Sequence, residues 1–189
     1  NARGYDHRPR SRTRMLLVDD HFALSDQIAM TLGFAGVKVS NRNANVTIGS
    51  GDDRLRAHDW FMPHASVHFR PIPALTLSMD YNEAMRAYGD TGFTGPLGLS
   101  RPDFEALRRS LRPEKSRVAS VGGQWSGGDM TVTTSLYRAD VRNGLSFAHR
   151  AYLPVNIGSA SLLGVKMMAR HQLTPQIDWS VRYQQAAVE

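Results

Sequence analysis

Apolar and polar residues alternate nearly one for one through eight segments of this sequence, and the connections between those segments alternate between short and long. A period of two places successive side chains on opposite faces of an extended strand, and a helix has no use for it. In 58–70, Phe61, Ala65, Val67 and Phe69 share one face and His64, Ser66, His68 and Arg70 the other. In 75–82, Leu75, Leu77, Met79 and Tyr81 alternate with Thr76, Ser78, Asp80 and Asn82. The same pattern runs through 13–19, 25–40, 119–125, 130–143, 157–172 and 177–184. The short connections are 20–24, 71–73, 126–129 and 173–176; the long ones are 41–57, 87–112 and 144–156. In 126–129, two adjacent glycines, Gly127 and Gly128, are expected to supply the positive φ of a tight hairpin. Short turns at one end and long loops at the other are the layout of an outer-membrane barrel. The expected fold is therefore all-β: a portion of an antiparallel up-and-down transmembrane β-barrel, with about eight strands and incomplete, in one domain over 1–189.

The cost of placing charge in lipid assigns the faces. A lipid-facing Arg or Lys at the bilayer midplane costs about 2–4 kcal/mol, so Lys166, Arg170 and Arg182 are expected to point inward. The opposite face is then apolar, and Phe61, Phe69, Tyr81, Trp125, Tyr137, Trp179 and Tyr183 are expected to form its aromatic girdles. In 130–143 both faces carry mixed residues; Tyr137, Ala139 and Val141 are assigned outward. No apolar run reaches the ~20 residues of a membrane helix, which says nothing against a strand-built membrane protein.

Charge and cysteine usage remove several function classes. The net charge is +6, and 20 of the 23 basic residues are arginine. These arginines alternate inside strands and gather in loops without forming a helix face, so nucleic acid is not an expected partner. The absence of cysteine removes thiolate metal sites and cysteine nucleophiles. His64 and His68 share a face, yet strand residues four apart lie ~13 Å from each other and cannot chelate one ion. Asp52, Asp53 and Asp59 lack the spacing of a calcium loop, and the glycines at 122–123 and 127–128 precede no helix as a phosphate loop would require. No catalytic set, metal site or cofactor is expected, and the chain is not read as an enzyme.

One stretch carries a resemblance to a known family. Leu111-Arg112-Pro113-Glu114-Lys115-Ser116 resembles the L-x-P-E-x-S signature that opens a barrel strand in TonB-dependent outer-membrane receptors. The run from Ser135 to Leu145 is similar to the strand that follows it there. Asn156, Gly158 and then Gly164 resemble the family's N-x-G…G strand, with Lys166 where an acid is usual. The resemblance covers 60–189, and its motif residues are Leu111, Pro113, Glu114, Ser116, Asn156, Gly158 and Gly164. The haem-receptor boxes are not intact: Tyr88 stands in place of a proline, and 110–113 does not match.

The resemblance implies active uptake of a scarce ligand of the siderophore, cobalamin, haem or glycan class, driven by a TonB complex through a plug domain outside these 189 residues. Such transporters close with about 22 strands, so this chain is expected to be a piece of the barrel. Outer-membrane lipid, lipopolysaccharide and a small-molecule ligand are its expected partners. The 87–112 connection reads as the ligand loop, with a short helix starting near Pro102 behind a Ser100 cap. Arg86, Tyr88, Arg101, Arg108, Arg109 and Arg112 are its candidate contacts, since arginine suits carboxylate or phosphate ligands. Two alternatives remain open at this point: a self-contained eight-stranded outer-membrane barrel, and a soluble β-rich binding domain.

Overall fold

The computed structural model describes residues 10–42, 54–87, 101–148 and 153–188. Its strands are β1 (Arg10–Ala23), β2 (Ile28–Arg42), β3 (Arg54–Ile72), β4 (Leu75–Arg86), β5 (Glu114–Gly127), β6 (Met130–Arg142), β7 (Leu145–Ala148), β8 (Leu153–Asn156), β9 (Ala160–Thr174) and β10 (Ile177–Val188). One helix, α1 (Arg101–Ser110), lies between β4 and β5. Eight strands form one antiparallel sheet in the order β1-β2-β3-β4-β5-β6-β9-β10, and β7 pairs with β8 alone. The sheet is an up-and-down meander, and β1 and β10 are its two unpaired edges. Its strands run from 12 to 19 residues, longer than the ~9–11 that a tilted strand needs to cross a bilayer.

Direct cross-strand partners share a face, so the register fixes the two faces. Leu77, Val121, Leu136, Val165 and Val181 lie on one; Ser78, Ser120, Ser135, Lys166 and Gln184 lie on the other. The first face leaves large apolar side chains uncovered: Met79 is 63% exposed, Leu136 57% and Val181 59%. Lys166, Arg170 and Arg182 sit on the polar face.

Several expectations need correction. Tyr137 is not outward. It pairs with Gly164, and its ring lies under the Lys166 ammonium at 4.7 Å from the ring centre, on the polar face. Ala139 and Val141 follow it, which leaves Arg138 and Asp140 on the apolar face, paired to each other at 3.3 Å. Asp20, His21 and Phe22 are not a turn: β1 continues through them, with His21 Nδ1 2.9 Å from Thr31 Oγ1. The turn falls at 24–27, where Ser25 Oγ accepts from the amides of Gln27 and Ile28. The 71–73 turn moves to 73–74, because Ile72 pairs with Leu75. Only Gly128 of the two adjacent glycines has positive φ, at 57°. Gly127 is required differently, since any Cβ there would run into the Trp125 ring. The 144–156 connection is not a plain loop; it holds the β7–β8 hairpin, and β9 begins at Ala160 rather than at 157. Val46, Thr47 and Ile48, read as a strand extension, lie outside the described residues, as does Ser100.

A bulge reshapes the long-loop end. Ala35 pairs with Met62 and Val37 with Asp59, so Gly36 faces both Trp60 and Phe61. A two-against-one bulge bends its strand and increases the local twist. Above His64↔Asn82 no β3–β4 pairing is present, while β2–β3 runs on to Arg42↔Arg54 and β4–β5 to Arg86↔Glu114. The sheet therefore splits into two leaves at this end. Lys115 of one leaf reaches Asp59 of the other at 2.5 Å. Val37, Val39, Leu55, Ala57 and Met62 of β2–β3 pack with Ala87, Leu111 and Leu145 into the only buried apolar cluster of the described residues.

Candidate functional site at the long-loop end

The buried cluster positions α1. Leu111 is 4% exposed and anchors the C-terminus of the helix. Its amide donates to the Leu107 carbonyl at 2.9 Å, and Ser110 Oγ donates to the same carbonyl at 3.0 Å. Arg112 Nη1 donates to the Arg109 carbonyl at 2.8 Å. These bonds satisfy carbonyls that a helix end leaves unpaired. Arg108 and Arg109 occupy the last turn, where a cation meets the negative end of the helix dipole.

Two motif residues hold the β7–β8 hairpin to the sheet. Glu114 Oε2 accepts from the Leu145 amide at 2.7 Å and from Arg86 Nη2 at 2.9 Å. The same Arg86 nitrogen donates to the Leu145 carbonyl at 2.7 Å. The ion pair thus satisfies both backbone groups of Leu145 and acts as a ladder rung made of side chains. Asn156, the register partner of Leu145, does the matching work on the other strand. Its Oδ1 accepts from the Arg112 amide at 2.8 Å, and its Nδ2 donates to the carbonyls of Arg112 at 2.9 Å and Asn143 at 2.7 Å. At the corner, Gly144 N donates to Gly158 O at 2.7 Å and Ile157 N to Gly144 O at 2.8 Å. Gly158 has φ 104°, a backbone that side-chain-bearing residues rarely adopt.

The six candidate contacts divide on this geometry. Arg86 and the backbone of Arg112 flank the Leu145–Asn156 pair and hold it. Arg108 forms an ion pair with Glu105 one turn earlier, at 2.5 Å. Arg109 is exposed. Arg101 begins α1, and Tyr88 lies outside the described residues. α1 thus groups Arg101, Arg108 and Arg109 on one element. Leu145 and Asn143 escaped the sequence reading, because their role is played by backbone groups.

Below this end the polar face is lined by hydroxyls and amides. His68, Ser78, Asp80, Ser120, Gln124 and Ser135 border a shallow depression. Ser120 Oγ donates to Asp80 Oδ2 at 3.4 Å. His64 Nε2 meets Asp19 Oδ1 across Gly33, whose missing Cβ leaves room for the contact. No group of three metal-ligating side chains is present among the described residues.

The family described as TonB dependent receptor-like, beta-barrel, matches residues 1–188. No curated protein matches the sequence. The copper transporter OprC superimposes with a TM-score of 0.71 at 16% identity, over 94% of this chain and 28% of that one. The ferripyoverdine receptor of the Pseudomonas aeruginosa outer membrane gives 0.70 at 12%, over 95% and 23%. The alcaligin outer-membrane receptor FauA from Bordetella pertussis gives 0.64 at 16%, over 97% and 31%. The chain spans about a quarter to a third of the length of these structures, and at such identities the likeness is one of fold.

Proposed function

This chain belongs to the TonB-dependent receptor β-barrel family, and on that premise we propose that it forms part of the wall of a bacterial outer-membrane receptor that imports a scarce ligand. The observation that carries this reading is the division of one sheet into an uncovered apolar face and a polar face. An exposed apolar surface of this extent has no stable place in water, and lipid suits it. The uptake itself is the work of the whole barrel, a plug and a TonB complex.

For the ligand, arginine-rich α1 favours an anionic chelate over a neutral glycan. The solved structures of similar fold include a receptor for alcaligin and a receptor bound to ferripyoverdine. Arg101 and Arg109 are the primary candidate contacts, with Arg108 and Tyr88 as further candidates; Arg86 and Arg112 act by holding the loop end. The test is ligand uptake by cells carrying the full-length protein with Arg108 and Arg109 both changed to Ala. A rise in the half-saturating ligand concentration of about tenfold or more, as one lost charge-assisted hydrogen bond implies, with normal outer-membrane levels, supports the assignment. Unchanged uptake removes these residues from the ligand site. Uptake that does not depend on the protein at all removes the transport function.

A further inference from the structure

The two leaves at the long-loop end overlap rather than meet edge to edge. Asp59 pairs with Val37 and Met62 with Ala35, on the face of Gly33 and His64, which is the polar face. Lys115 pairs with Met85, on the face of Leu77 and Met79, which is the apolar face. Yet Lys115 Nζ lies 2.5 Å from Asp59 Oδ2, and Met85 packs against the cluster that holds Val37, Val39 and Met62. The polar face of β2–β3 therefore lies over the apolar face of β4–β5. The upper ends of β4 and β5 step to the polar side of the sheet.

The sequence accounts for this step. Pro63 is the first residue of β3 above the last continuous β3–β4 pair, His64↔Asn82, and it has no N–H to give a ladder. The bulge at Trp60 and Phe61 follows at once and turns the strand. Above this point β3 and β4 share no ladder, so side chains fasten the leaves. The apolar cluster is one fastening, and the Asp59–Lys115 pair is another. Asp59 is fixed on its own strand, because its Oδ1 accepts from the Phe61 amide at 3.1 Å while Oδ2 accepts from Lys115. A cleft of about 50 Å³ beside the pair is bordered by Glu83, Arg117 and Arg142, so the margin of this contact is charged rather than sealed by apolar packing.

The inner leaf carries the rest of the long-loop end. Arg86 at the end of β4 and Glu114 at the start of β5 hold Leu145 of the β7–β8 hairpin. Helix α1 runs into β5 through buried Leu111. Hairpin and helix are thus fastened to β4 and β5.

We propose that the upper ends of β4 and β5, with α1 and the β7–β8 hairpin, form a hinged lid that turns about the seam at Pro63 and Asn82, and that the Asp59–Lys115 pair is its latch. With the latch made, the apolar cluster is closed. With it broken, the leaves part and Ala87, 3% exposed in the closed form, meets water. The lid deepens the reading of α1 as the ligand-contacting element and rests on it.

The test uses the full-length protein in lipid bilayers, carrying Ala87→Cys, and follows the reaction of that thiol with a water-soluble maleimide. Asp59→Asn keeps an acceptor for the Phe61 amide and loses the charge facing Lys115; Lys115→Gln removes the other partner. Each should speed labelling about tenfold, as loss of one charge-assisted hydrogen bond implies. The double variant should be no faster than either single one, since both remove the same interaction. Lys115→Arg should label as slowly as the unaltered background. Ser135→Cys, on the exposed polar face of β6, should react at one rate in every background, and heat-modifiable gel mobility shows that each variant folds. Unchanged labelling of Ala87→Cys in the single variants, additive acceleration in the double variant, or equal acceleration at Ser135→Cys would each overturn the lid. These rates need no ligand, so the two readings fail separately. Unchanged rates defeat the lid and leave α1 as a ligand contact, whereas uptake indifferent to Arg108→Ala with Arg109→Ala defeats the ligand contact and leaves the hinge.

Discussion

Asn156 holds both backbone polar groups of Arg112 through its side chain, at 2.8 and 2.9 Å. A third bond to Asn143 O closes the corner. Asn156→Ala strips partners from three backbone groups at the sheet's long-loop end. The expected loss is about 1–3 kcal/mol, localised at β7–β8. Hydrogen exchange should show faster exchange of the Arg112 and Leu145 amides with β5 and β9 unchanged. Asn156→Asp should be no better, since it keeps the acceptor and turns both donors into a carboxylate oxygen facing carbonyls. Protection equal to wild type in either variant would contradict the assigned role.

Gly164 lies under the Tyr137 ring, and a Cβ added there would come 2.5 Å from Tyr137 Cζ. Gly164→Ala should displace the ring from Lys166 and from Gln184, whose Nε2 is 3.3 Å from the Tyr137 hydroxyl. Overpacking of this kind costs about 1–3 kcal/mol. Adding Tyr137→Ala should recover most of that loss, because the clash is then gone. Urea unfolding midpoints of the two single variants and the double variant measure the coupling. Additive losses would show that the ring and the glycine are independent.

Glu114 is a positioning residue for Leu145. Glu114→Gln keeps one carbonyl oxygen for the Leu145 amide and loses the charge opposite Arg86. It should be milder than Glu114→Ala by about 1 kcal/mol. Protease sensitivity of the β7–β8 hairpin in the folded protein reads the difference. Equal sensitivity of the two variants would mean that the carboxylate does not hold Leu145.

The period of two made the eight-stranded meander legible, since each segment had one face that only burial or lipid explains. Its register also fixed where Lys166, Arg170 and Arg182 point. The pattern failed where it was locally mixed. In β6, Leu136 and Arg138 share a face because the strand leaves the apolar belt midway, so Tyr137 could be placed only from its partners Gly164 and Lys166. β7 and β8 have four residues each, too few for alternation to register. At the long-loop end, Leu111, Glu114 and Asn156 stood out as a motif, while their contacts were hidden. Glu114 and Asn156 serve backbone groups of Leu145, Asn143 and Arg112, which no side-chain pattern records. Likewise Arg86 read as a ligand contact because the sequence does not show that Glu114 and Leu145 already claim it.

The receptor-wall reading rests on the assignment of the two faces, and single-cysteine scanning tests it most directly. The chain contains no cysteine, so each introduced thiol is the only one it contributes. Cysteines at Met79, Val121 and Leu136 on one face, and at Ser78, Ser120 and Ser135 on the other, are placed one at a time in the full-length protein in lipid bilayers. Spin labels at the first three should relax with oxygen dissolved in the lipid and be shielded from a water-soluble nickel chelate. Labels at the second three should be shielded from dissolved oxygen. The same accessibility on both faces, or water access at Met79, Val121 and Leu136, would contradict a lipid-facing wall.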